Sequence, residues 1–228
     1  MSNAGGLGLV GGGCGDRDWM RCELKRVKDE TARLWGVGLI TWAADRSLVE
    51  STLAHAPHAV RLSCGDPRPH AQRVKAAGCL LICQVQDLAG ARLAREAGAD
   101  LIVAQGTEAG GHGGTRSTLP LVPAVVDAVA PVPVVAAGGI AGGRGLAAAL
   151  MLGAHGALAG TRFAASEEAL SDAAAKRRIA AASGHLTERT RVFDIVRSCH
   201  WPEGYTGRAL VNRSPSVGAA EKARSPAR

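Results

Sequence analysis

The sequence predicts an α/β fold on a parallel sheet, a (β/α)8 TIM barrel lacking its first strand-helix unit. Three observations lead there. Short apolar runs alternate with helical stretches through most of the chain. An Ala-Gly or Leu-Gly step recurs just before the runs. Several runs end in glycine-rich segments. Strand alternating with helix implies right-handed crossovers and parallel strands. Runs apolar at nearly every position imply burial on both faces. A glycine after the last helical turn supplies the left-handed cap that returns the chain to the sheet.

The β-like runs fall at 7–10, 37–41, 59–62, 80–85, 101–104, 132–136 and 157–159. Helical stretches follow at about 18–34, 46–55, 69–77, 87–97, 120–129, 142–152 and 167–182. The capping steps are Ala77-Gly78, Ala97-Gly98 and Leu152-Gly153. Seven strands are one fewer than a closed barrel requires. An open doubly wound sheet would also accommodate seven. However, Gly5-Gly6-Leu7-Gly8 precedes its strand, the wrong order for a dinucleotide fingerprint. Beyond about residue 184 the rhythm stops. Residues 1–212 therefore read as one barrel domain, and 213–228, rich in Arg, Ser, Pro and Ala, as a basic disordered tail.

Composition narrows the function. The chain has 228 residues, 46% hydrophobic and only 3% aromatic, with 30 glycines and a formal charge of +7. Much of the excess charge lies near the ends, at Arg21, Lys25, Arg26 and Lys28, then Arg208, Arg213, Lys222, Arg224 and Arg228. No basic stripe is interleaved with aromatics, so nucleic acid is not the expected partner; the field favours anionic small molecules. The six cysteines (14, 22, 64, 79, 83, 199) form no CxxC pair and read as free thiols of a reducing cytoplasm rather than a metal site. No secretory signal is visible. The longest uncharged stretch, 145–161, reads as helix then strand and not as a membrane span.

Residues 104–114 read Ala-Gln-Gly-Thr-Glu-Ala-Gly-Gly-His-Gly-Gly, directly after an apolar run. Five glycines, one carboxylate and one histidine predict a loop at a strand end, where α/β proteins place their reactive groups. Glycine lets backbone approach a ligand, and His112 can carry a proton near neutral pH. Glu108 either orients His112 or caps the loop. Two further strand ends, Val134-Val135-Ala136-Ala137-Gly138-Gly139-Ile140 and Ala157-Leu158-Ala159-Gly160-Thr161-Arg162-Phe163, lead into helices. Bare N–H groups at helix starts favour a phosphate there. Cys64 ends its strand on the same face, as a packing residue or a neighbour of the ligand. His55, His58, His70, His155, His185 and His200 fit no metal template and read as surface residues.

Together these segments resemble the nitronate monooxygenase family, formerly the 2-nitropropane dioxygenases, over roughly residues 2–212. The strongest pieces are Gln105 to Gly113, Ala136-Ala137-Gly138-Gly139-Ile140 and Leu158 to Phe163; Ser2 to Gly8 and Gly207-Arg208-Ala209-Leu210 are weaker matches. The resemblance implies an FMN-dependent oxidoreductase acting on nitronates or nitroalkanes with O2. By motif, Gln105, Gly110 and Gly111 would contact the flavin, Gly138, Gly139, Gly160 and Thr161 would hold its phosphate, and His112 would be the catalytic base. The sequence departs from the family in two places. Nothing matches the family's opening Ala-Pro-Met strand end, and Gly36-Val37-Gly38 stands where the family has Gly-Val-Asn. A barrel short of one strand leaves two edges that a second copy could cover. The Glu-Ala-Gly-Gly-His segment also occurs in flavin-dependent enoyl reductases. An NAD(P)H-dependent enoyl or quinone reductase, or a flavin-binding protein with impaired catalysis, are therefore the alternatives.

Overall fold

The computed structural model describes residues 1–13 and 15–211. The expected tail at 213–228 and Cys14 lie outside the described residues. The elements run β1 (Gly8–Gly11), α1 (Arg17–Glu30), β2 (Trp35–Ile40), α2 (Arg46–Leu53), β3 (Ala59–Ser63), α3 (Arg68–Ala76), β4 (Leu80–Val85), α4 (Leu88–Glu96), β5 (Leu101–Gln105), β6 (Gly111–Gly113), α5 (Thr118–Val129), β7 (Val134–Ala137), α6 (Gly143–Met151), β8 (Ala157–Leu158), α7 (Thr161–Ala164), α8 (Ala173–Ala181), β9 (Thr187–Thr190), α9 (Val192–Val196) and β10 (Thr206–Leu210). Seven strands pair in parallel in the order β1-β2-β3-β4-β5-β7-β8, so among the described residues β1 and β8 are the two edges.

Residue alternation separates two cores. Val37, Leu39, Val60, Leu62, Leu81, Cys83 and Ile102 point outward and pack under the helices against Leu24, Val49, Val74, Leu121 and Val125. Ala59, Ile82, Val103 and Ala137 point inward and meet Leu101, Val135 and Leu158 in the barrel interior. Both faces of the central strands β2 to β5 and β7 are thus largely buried, which is why those runs are apolar nearly throughout. Gly78, Gly98 and Gly153 have φ of +75°, +79° and +87°, the left-handed caps expected from the Ala-Gly and Leu-Gly steps. At the helix starts, Asp16, Asp45, Asp87 and Asp172 accept from the backbone N–H of Trp19, Leu48, Gly90 and Ala175.

Three features differ from the sequence expectation. The glycine-rich segment is not wholly a loop, because β6 pairs antiparallel with β10, bringing Gly207 opposite His112. β9 adds to the other side of β10, giving a second, three-stranded sheet in a region where no element was expected. The helix expected from residue 167 starts at Ala173, after the Asp172 cap. In the first case the partner strand lies about a hundred residues away and in the second about twenty, and local pattern shows neither pairing.

Candidate active site

The strand ends β5, β7 and β8 come together. Gly106 N–H donates to the Ala137 carbonyl at 2.8 Å, fastening the glycine loop to the end of β7. Gly138 has φ +113°, and a Cβ there would lie 2.8 Å from Thr118 Oγ1, 3.0 Å from Ala109 N and 3.1 Å from Gly106 O. Gly139, at φ +71°, has Glu108 Cβ at 3.3 Å from its own Cβ position. A Cβ on Gly110 would overlap Thr161 Oγ1, while Gly111 and Gly160 have nothing within 4 Å. Gly110, Gly138 and Gly139 thus have little or no room for a side chain between the neighbouring strand ends, whereas Gly111 and Gly160 stand open.

The helices that start here lack their own side-chain caps. Gly142 stands at the N-cap of α6 and Gly160 at that of α7, and neither has a side chain to cap with. Ser117 makes no cap bond at α5; Glu108 reaches across instead, accepting from Thr118 N at 2.9 Å and Thr118 Oγ1 at 2.7 Å. Burial alone would raise the Glu108 carboxyl, but the Thr118 hydrogen bonds, a bond from its own backbone and the Arg208 charge together outweigh it and hold its pKa below the usual value. Of the two roles expected for Glu108, the structure has the cap; it does not touch His112. Free N–H groups at the start of α6, beside glycines with no Cβ, fit a phosphorylated cofactor.

His112 turns to the other side of its strand. A Cβ at Gly113 would lie 2.9 Å from Gln105 Oε1, facing the barrel. The neighbouring His112 side chain faces α9 and the segment before β10. Its Nε2 lies 2.9 and 3.0 Å from the two carboxylate oxygens of Asp194, itself only 7% exposed. Trp201 stacks on the imidazole at 3.6 Å between centroids and 5° between planes. Trp42, just after β2, meets Trp201 edge-on at 5.3 Å. A carboxylate only accepts, so in the neutral ring the hydrogen sits on Nε2 and the lone pair on Nδ1. A cavity of about 240 Å³ opens beside this pair, lined among others by Phe193, Asp194 and Arg208.

Gln105 links the two halves of the site. Its Nε2 donates to the His112 carbonyl at 3.1 Å, and its Oε1 accepts from Gln86 Nε2 at 2.8 Å. Tyr205 reaches Gln86 Oε1 at 3.5 Å, and burial pushes its hydroxyl up to about 12. Two arginines pin the glycine loop. Arg189 donates to the carbonyls of Thr107 at 3.0 Å, Gly113 at 2.7 Å and Thr206; Arg208 donates to Thr107 at 2.9 Å.

Sequence reading missed Asp194, Trp201 and Arg189, which lie beyond residue 184. Only the aromatic and acidic content of that stretch could have hinted at them. Cys64 is buried, and desolvation pushes its thiol up to about 11, as expected of a packing residue. His70 was expected at the surface but is 7% exposed, because α3 turns it under the sheet.

A parallel β/α barrel with bare backbone gathered at the C-terminal ends of its last strands defines a ligand-binding barrel of the kind that serves redox and phosphate chemistry. The nitronate monooxygenase family model matches residues 41–213, and the chain belongs to that family. A nitronate monooxygenase of Neurospora crassa is 34% identical over 262 aligned positions, covering 94% of this chain and 69% of its own length. FabK from Thermotoga maritima superposes with a TM-score of 0.85 at 35% identity, covering 97% of this chain and 68% of that one. A nitroalkane oxidase from Streptomyces ansochromogenes gives a TM-score of 0.78 at 31% identity, covering 93% and 71%. Other curated relatives are longer, and the chain spans 34% to 51% of their length.

Proposed function

We propose that residues 1–212 form an FMN-binding unit that oxidatively denitrifies alkyl nitronates and nitroalkanes with O2 in the cytoplasm. The observation that carries this is the meeting of three bare strand ends, Gly106–Gly110, Gly138–Gly139 and Gly160–Thr161, with His112 two residues from Gly110. The family membership supports it, as does the likeness to a nitroalkane oxidase.

In this reading the glycine N–H groups and Thr161 hold the phosphate, and Gln105, steadied by Gln86, holds the ring system. When bound, the flavin supplies the redox and oxygen chemistry. The protein's own part is proton transfer and charge. A nitronate has already lost its α-proton and needs no base. A neutral nitroalkane needs one, and His112 Nδ1 is the lone pair left over when Asp194 holds Nε2. Arg189 and Arg208 keep the loop closed and set positive charge beside an anionic substrate.

The test combines the visible spectrum of the purified protein, titration with FMN, and nitrite release from propyl-2-nitronate and 2-nitropropane. Flavin uptake with nitrite and O2 consumption is the expected result. A protein that takes up no FMN overturns the reading. So does one whose flavin is rapidly reduced by NADH without air yet releases no nitrite; that outcome selects the reductase.

A further inference from the structure

One arginine within β3 and two side chains just after β2 have buried donor atoms that the site described so far leaves without an acceptor. Arg61 lies in β3 on the interior face, in register with Gly38 of β2. Its Nη1 donates to Gln84 Oε1 at 2.7 Å, but its Nε is buried with no acceptor. A Cβ on Gly38 would come within 2.7 Å of Nη2 and 3.1 Å of Nε, so the guanidinium occupies the space over that glycine. Among the described residues, no carboxylate lies within ion-pair distance of it. Burial pulls its pKa below the usual arginine value. Two more idle buried donors, Thr41 Oγ1 and Trp42 Nε1, follow β2 directly. Thr41 N–H donates to the Ser63 carbonyl at 2.8 Å, tying the two strand ends together.

An uncompensated cation and idle buried donors are each unfavourable unless something else completes them. Their place on the barrel says what does. Around the strand order β1-β2-β3-β4-β5-β7-β8, β2 and β3 stand across the mouth from β7 and β8, whose ends carry the phosphate loops. A ligand anchored by phosphate at Gly138 and Gly160 and long enough to cross the mouth would meet the β2–β3 side, where Arg61 lies.

We propose that Arg61, with Thr41 and Trp42, binds the pyrimidine edge of the flavin, donating to its N1 and C2=O acceptors from the side opposite the phosphate. The proposal rests on the FMN reading above. A guanidinium at that edge favours negative charge there, so it binds reduced flavin more tightly than oxidised flavin.

The test uses the full chain as wild type and as Arg61→Met, Arg61→Lys and Trp42→Phe, with circular dichroism and melting curves as the check on folding. Apoprotein is titrated with FMN, the flavin midpoint potential is measured, and KM for propyl-2-nitronate is determined. Arg61→Met should weaken FMN binding by about 10- to 100-fold, the size of a hydrogen bond to a charged group. It should also lower the midpoint potential; each extra tenfold loss of affinity for reduced over oxidised flavin is about 30 mV for a two-electron couple. Arg61→Lys should keep part of the potential shift, and Trp42→Phe should lose affinity a few-fold. Folded variants with wild-type FMN affinity and potential overturn the assignment. A rise in nitronate KM alone also overturns it, by giving Arg61 to the substrate. Wild-type protein that ignores FMN overturns instead the reading on which the proposal stands.

Discussion

Asp194→Asn separates the base role of His112 from a merely structural one. The substitution keeps size and shape at a site only 7% exposed. It removes the charge facing Nε2 at 2.9 and 3.0 Å. An amide can present either its oxygen or its N–H to the ring, so the tautomer with a free Nδ1 is no longer enforced. A hydrogen bond to a charged partner contributes about 1.5–3 kcal/mol, or roughly 10- to 100-fold in rate if it is felt fully in proton abstraction. That is part of the roughly 10²- to 10⁴-fold that a positioned base supplies. Oxygen uptake by the variant should therefore fall by about one to two orders of magnitude on 2-nitropropane. Uptake on the pre-formed nitronate should stay within about a factor of three. His112→Asn should show the same split, larger. Equal losses on both substrates would refute the reasoning and leave Asp194 and His112 as a structural clasp between β6 and α9.

Other expectations are independent of turnover. Gly138→Ala places a methyl 2.8 Å from Thr118 Oγ1 at φ +113°. It should lower stability by about 1–3 kcal/mol in urea unfolding and abolish FMN uptake; an unshifted midpoint would show that the loops part freely. Glu108→Gln weakens the α5 cap. Because the folded Glu108 carboxyl is depressed, its stabilisation is complete above the unfolded value near 4.5 and is lost as pH falls through the lower folded value. The stability gap between wild type and variant should therefore close below pH 4.5, and a gap that persists would discount the cap. Burial pushes the Cys83 thiol up to about 12 and Cys64 to about 11, whereas Cys22 is exposed. Peptide mapping after a thiol reagent at pH near 8 should find Cys22 labelled well before the other two, and uniform labelling would contradict their burial. Leu81→Ala, at a fully buried position between sheet and helices, should cost about 2–5 kcal/mol.

The barrel was legible because each strand and helix is encoded by its own residues. Apolar runs buried on both faces, aspartate caps and left-handed glycines act within a few positions of one another, so local order is enough to read β2 through α6. The glycine-bearing strand ends were legible for the same reason, since a glycine's missing Cβ is a local property. The surroundings of His112 were not. Asp194 is 82 positions away, Trp201 and the strand partner Gly207 are further still, and nothing in the histidine's own segment names them. Arg61 was equally silent, since its meaning lies in standing over Gly38 with no carboxylate in ion-pair reach among the described residues. Backbone geometry follows from neighbours along the chain, whereas the charge and hydrogen-bond partners of a side chain depend on which distant segments the fold brings against it. The sequence by itself determined the parallel strands, the caps and the bare loops; only tertiary structure decided which carboxylate faces the imidazole and which cation stands over Gly38 with no ion pair among the described residues.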